Sequence, residues 1–314
     1  MRFALIIAGK QSIQSFRCAE GRCYCMEPPF HEYFPLGGIR NVYNLPRPFD
    51  GKFIQWQTDE DLVGQYDVIF LVIDEQFGRY KVDTIRKKFP NAYVVAYLKE
   101  RSPLRWLPQE RIDVWKQCDA IALPYRTKVC KEIAQKVQIH IYSFPYPYNI
   151  EQIRNDKYIT WDKRNNIMVV GPNWWNPLRG YKESITLAHK IEKDFKINVV
   201  DMQGKDYHWN QWLTLLAHCR YCLNLDPLPE VGQCPIECAI LGVMYLGSNL
   251  DSAHQLWHIT DSSINVDEVY RKFNMMFKDP GIRDFHLCGA YELVEKIYSF
   301  KAAQENLQFL LGKQ

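Results

Sequence analysis

Short unbroken apolar runs recur along this chain, separated by stretches of mixed character. In the first half they are Phe3 to Ile7, Val68 to Ile73, Ala92 to Tyr97, Ala120 to Leu123 and Ile139 to Tyr142. A strand covered on both faces has no polar side to present, so runs of this length predict the buried strands of a parallel sheet. Between them, Val82 to Phe89 and Arg111 to Cys118 mix polar and apolar residues as amphipathic crossover helices do. The proline-punctuated segment Ser143 to Asn149 closes this series, and a polar stretch from Asp156 to Asn165 precedes a second one. That second series runs Ile167 to Gly171, Ile197 to Val200, Tyr221 to Leu225 and Val243 to Gly247. The pattern predicts an α/β chain of two successive βα domains, 1–150 and 151–314. Open sheets of this kind bind ligands beyond the carboxyl ends of their strands, so a facing pair would enclose a cleft.

Composition narrows the class. With 314 residues, 47% hydrophobic and 24% charged, the chain is neither disordered nor fibrous. No apolar run reaches the roughly 18 residues of a membrane-spanning helix. Phe3 to Ala8 is too short for a signal-peptide core and is cut off by Gly9-Lys10-Gln11, which predicts a first strand of a cytoplasmic protein. Ten cysteines in a chain of this size, without a secretion signal, read as reduced thiols. Charge is uneven: residues 1–150 carry 21 Lys+Arg against 16 Asp+Glu, a net +5, and the remainder 18 against 20, a net −2. Such asymmetry points the first half toward an anionic partner, nucleic acid or a lipid surface, or reflects scatter among surface charges.

The chemistry concentrates between Asp226 and Val243, where a strand ends, a loop bearing Pro227, Pro229 and Gly232 follows, and a short helix starts near Pro235 and stops at Gly242. Glu237 falls in the first helical turn. Free N–H groups at a helix N-terminus attract phosphate, and a carboxylate beside them accepts hydrogen bonds from ribose or sugar hydroxyls. Glu237 could equally do no more than complement the helix dipole. Upstream, Val169 to Lys182 forms a strand and a loop containing Gly171 and Arg179, followed by a helical run from Ser184 to Ile191. Arg179 and Lys182 could neutralise a diphosphate, Arg179 through a planar fork that meets two oxygens at once.

These two stretches resemble the nucleotide-sugar glycosyltransferases of the GT-B type, in which two Rossmann-like domains face an interdomain cleft. The resemblance is strongest to retaining enzymes with two glutamates bracketing a glycine-rich loop, matched here by Glu230, Pro235, Glu237, Ala239 and Gly242. The chain departs from the pattern at Val231, at Met244, and in an interval between Pro235 and Glu237 that is one residue short. The same features are similar to those of phage DNA glucosyltransferases, with a fainter likeness from Tyr97 to Trp106. The resemblance implies a UDP-sugar as co-substrate and no tightly bound cofactor. Glu237 would hold the ribose, Arg179 and Lys182 the diphosphate, and Glu230 with the backbone at Gly232 the donor sugar, with Gly171 also in the nucleotide-sugar site. The acceptor stands open between a hydroxymethylated base in duplex DNA and a polysaccharide or lipid-linked glycan. A nucleotide-sugar epimerase and a non-catalytic nucleotide-sugar binding module are the alternative functions.

An inverting enzyme would keep its base near the strand ends of the first domain, where Asp74, Glu75, Glu100 and, in the long first loop, His31 are candidates, with Glu100 preferred. Two cysteine groups have the composition of metal ligands. Cys18, Cys23 and Cys25 with His31 lack the spacing of a common zinc module. Cys219 and Cys222 followed by Cys234 and Cys238 look more zinc-like, yet Cys222 falls in a strand and Cys238 in a buried helix, where cysteine serves as a small hydrophobe. No metal site is therefore assigned.

Overall fold

The structure is a computed structural model that describes residues 1–8, 45–73, 82–97, 109–124, 135, 138–171, 180–202, 209–227, 232–247, 251–257 and 265–312. Among these residues the chain divides into two compact units. One holds the residues up to Tyr148 together with those from Phe300 onward, and the other is Asn149–Ser299. The break falls between Tyr148 and Asn149, within the proline-punctuated segment, and the last helix belongs to the first unit.

In the first unit a parallel six-stranded sheet is built from β1 (Phe3–Ala8), β2 (Lys52–Trp56), β3 (Val68–Ile73), β4 (Tyr93–Tyr97), β5 (Ala120–Leu123) and β6 (Ile141–Ser143), ordered β2-β1-β3-β4-β5-β6. Phe3 pairs with Val68 across β1 and β3, and Ala4 with Lys52 across β1 and β2. Helices α1 (Val82–Lys88) and α2 (Gln109–Trp115) follow β3 and β4. The core is aromatic: Phe70 meets Phe144 edge-on at 4.9 Å and stacks on Tyr97 at 5.6 Å, and the Tyr97 hydroxyl donates to the Phe144 carbonyl at 3.0 Å. Residues Phe144 to Tyr148 are all buried, so the segment that ends this unit belongs to its core.

The second unit contains α3 (Ile150–Lys157), β7 (Asn165–Val170), α4 (Tyr181–Phe195), β8 (Asn198–Asp201), α5 (Trp209–His218), β9 (Cys219–Leu223), α6 (Cys234–Leu241), β10 (Met244–Leu246), α7 (Asp251–Leu256), α8 (Val266–Lys278) and α9 (Pro280–Tyr298). Its four strands are parallel in the order β10-β9-β7-β8. The final helix, α10 (Phe300–Leu310), packs on the first unit, where the Gln304 side-chain amide donates to the Pro48 carbonyl at 2.6 Å.

Both sheets share one winding. The chain starts in an interior strand, adds the next strand on one side, then crosses over to add the following strand on the other. The crossover is a topological switch point, where helices on opposite faces leave a crevice at the carboxyl ends of the strands. It lies between β1 and β3 in the first unit and between β7 and β9 in the second. Among the described residues no helix is long and apolar enough to cross a membrane.

Candidate functional site

The described part of the candidate site lies at the switch point of the second unit, where β7 ends at Gly171 and β9 runs into Asn224 and Leu225. The two strand ends are drawn tightly together: the Gly171 N–H donates to the Leu223 carbonyl at 2.7 Å, and a Cβ at Gly171 would stand 3.1 Å from that of Asn224. Gly180, which opens α4, has a φ of 67°, and a Cβ there would fall 1.9 Å from the Leu225 carbonyl oxygen. Only glycine fits this left-handed close approach. Ser184, one turn into α4, fastens the pair, because its Oγ donates to the Gly180 carbonyl at 2.7 Å and accepts the Leu225 N–H at 2.9 Å. Lys182 is exposed in that same first turn. Asn224 is buried, and its Oδ1 has no hydrogen-bond partner among the described residues.

Helix α6 carries Glu237. All eight of its residues are buried, as expected of a helix without a polar face, and its ends are held by side chains from elsewhere. At its C-terminus, Arg154 donates to the Ile240 carbonyl at 2.8 Å, while Arg164 donates to the carbonyls of Leu241 and, at 2.8 Å, Gly242. Burial lowers the Arg164 pKa to about 10. These carbonyls are the negative end of the helix dipole, which favours a cation there. At its N-terminus, Ser252 donates to the Gly232 carbonyl at 2.8 Å and Trp257 to the Pro235 carbonyl at 3.0 Å.

Glu237 is 1% exposed, and its carboxylate is gripped from α5: Trp209 Nε1 donates to Oε1 at 3.0 Å and Trp212 Nε1 to Oε2 at 2.6 Å. Two indole donors and the positive end of the helix together offset the cost of burying the charge. The tryptophans were missed in the sequence. Their signal was the three-residue spacing that puts both on one face of a helix.

Of the residues singled out in the sequence, Gly171, Lys182, Gly232 and Glu237 are placed here, Gly232 with a φ of 74° just before α6. Arg179, Glu230, Glu100, Asp74, Glu75 and His31 lie outside the described residues, as do Cys18, Cys23 and Cys25. In the basic run Arg86-Lys87-Lys88 that closes α1, Arg86 is committed to structure: it contacts Asp119 Oδ2 at 2.9 Å and the Gln117 carbonyl at 3.1 Å. Lys87 and Lys88 are exposed. Cys222, Cys234 and Cys238 converge behind the N-terminus of α6, with Cys222 and Cys234 sulfurs 3.3 Å apart. Cys219 stands apart from them and donates to the Leu215 carbonyl at 3.2 Å.

Two Rossmann-like parallel sheets in one chain define the fold of the GT-B glycosyltransferases. The solved structures it matches include an alpha-glucosyltransferase bound to UDP, at a TM-score of 0.62 and 12% identity over 100% of both chains. The same enzyme with UDP and a 13-mer DNA containing an HMU base gives 0.64 and 12%, over 100% of this chain and 99% of that one. HepE of Anabaena with UDP-glucose gives 0.61 and 9%, over 98% and 99%. No protein-family model matches the chain, and no curated protein matches it in sequence.

Proposed function

We propose that this chain is a glycosyltransferase that moves a sugar from a UDP-sugar to an acceptor hydroxyl, with a hydroxymethylated base in duplex DNA as the acceptor. The observation that carries the reading is the buried Glu237 at a helix N-terminus beside the β7/β9 switch point, within a fold matched over its full length by glycosyltransferases that hold UDP. Ribose hydroxyls would donate to the Glu237 carboxylate. The diphosphate would sit on the first turn of α4, whose free N–H groups and Lys182 favour an anion, with Arg179 from the preceding loop completing the clamp. Glu230 and the backbone at Gly232 would orient the sugar.

In the transfer step the bond between the anomeric carbon and the diphosphate oxygen breaks, UDP leaves with the electron pair, and the acceptor oxygen bonds to that carbon. If the transfer inverts the anomeric carbon, the acceptor proton passes to a base, for which Glu100 is the candidate, and if it retains it, the departing diphosphate oxygen takes that proton. Arg179 would gain its strongest interaction as charge builds on the leaving group, so Arg179→Ala should lower kcat more than it raises KM. A pure KM effect would make it a ground-state clamp instead.

The reading is tested by incubating the chain with labelled UDP-sugars and three acceptors: hydroxymethylated duplex DNA, unmodified DNA and a lipid-linked glycan. Label on the hydroxymethylated DNA alone, with matching release of UDP, supports it. Label only on the glycan overturns the DNA acceptor, and interconversion of the sugar without any acceptor makes the chain an epimerase. Binding without turnover makes it a binding module.

A further inference from the structure

Cys222 points from β9 toward α6, where Cys234 and Cys238 lie four residues apart and therefore share one helix face. The three sulfurs lie within 4.8 Å of one another, and all three residues are buried. Thiolates bound to one zinc ion at about 2.3 Å stand about 3.8 Å apart along a tetrahedral edge, and slightly wider in a trigonal plane. Small side-chain rotations bring the trio to that spacing.

We propose that Cys222, Cys234 and Cys238 bind one thiophilic d10 cation, Zn2+ or Cu+. Soft sulfur donors select such ions over Mg2+ or Ca2+, which take oxygen. All three donors come from the core of the second unit, Cys222 from β9 and Cys234 with Cys238 from α6. Cys118 and Cys219 show the contrast: each is buried outside any such cluster among the described residues. Loading replaces up to three S–H protons with one cation and releases them to solvent. The ion would fasten β9 to the first turn of α6 and hold in place the segment that presents Glu237. This site is independent of the sugar-transfer reading, and its test uses no activity.

The full chain is purified under reducing conditions from zinc-replete and copper-replete cultures, and its metal content measured. The stripped protein is then titrated with Zn2+, with Cu+ as a cuprous acetonitrile complex, and with Co2+ as a chromophoric probe, while Tm and thiolate-to-cobalt charge-transfer absorption are followed. One ion per chain, a Tm that climbs with ion concentration and thiolate charge-transfer bands are expected. The zinc and copper arms report which ion is held. Cys234→Ala/Cys238→Ala should lose the ion, and Cys288→Ser, on the exposed cysteine, should keep it. If the double variant does not fold, a Cys18→Ser/Cys23→Ser/Cys25→Ser variant of the upstream group must still hold the ion with the same absorption. Metal content at the buffer blank with no Tm response in the wild type, or an ion retained without Cys234 and Cys238 or lost with the upstream group, overturns the site.

Discussion

The Glu237 carboxylate ties α5 to α6, and the function proposed here adds ribose binding to that structural role. Glu237→Ala leaves two buried indole N–H groups without an acceptor, which should cost roughly 2 kcal/mol or more. Trp212→Phe removes a single donor and should cost about 1 kcal/mol. Urea denaturation of the two variants checks this order, and equal effects would mean that ring packing dominates. A second residue reports on pH. Burial pushes the Cys118 thiol up to about 12, so the folded state keeps its proton where the unfolded chain, ordinarily near 9.0, gives it up. The resulting stabilisation is complete below pH 9 and is lost as pH rises toward 12. Cys118→Ala should flatten that loss, by at most about 1.4 kcal/mol per pH unit, in denaturation midpoints compared across the window. A parallel pH dependence in both proteins would contradict the assignment.

At the level of elements, α6 depends on donors from outside itself. Arg164→Met keeps much of the buried volume but strips hydrogen bonds from the carbonyls at its C-terminus, and should destabilise the chain by about 3 kcal/mol in thermal or urea unfolding. A loss below about 1 kcal/mol would mean that solvent replaces the guanidinium. Helix α6 was legible in the sequence because Pro235 starts it and Gly242 ends it, and most of the buried strands were legible because an unbroken apolar run has few other uses. Strand β2 was not. Along Lys52–Trp56 only Ile54 and Trp56 are buried, as suits an edge strand covered on one face, so no continuous apolar run marked it. Helix α10 was hidden for another reason: it buries Ala302, Ala303, Leu307 and Leu310 on a unit whose other strands and helices lie far back in the chain, a pairing no local pattern announces. At the site, Gly171, Gly232 and Glu237 were singled out from the sequence, whereas Gly180, Ser184 and the two tryptophans act through long-range contacts.

For the whole molecule, the +5 of residues 1–150 against the −2 of the rest bears on the acceptor. With Arg86 held by Asp119, the described basic residues available to phosphates in that run are Lys87 and Lys88. If they contribute, Lys87→Ala/Lys88→Ala should weaken duplex DNA binding and reduce the slope of log affinity against log salt by about 2. An unchanged slope would remove this face from the acceptor surface. If the strand-end segments of the second unit hold the nucleotide, hydrogen exchange of the intact chain with and without UDP will show it. Slowed exchange in peptides covering 171–184 and 224–238, with Trp209 and Trp212 quiet because they are already buried, is the predicted result. Protection confined to the first unit, or none at saturating UDP, would contradict it.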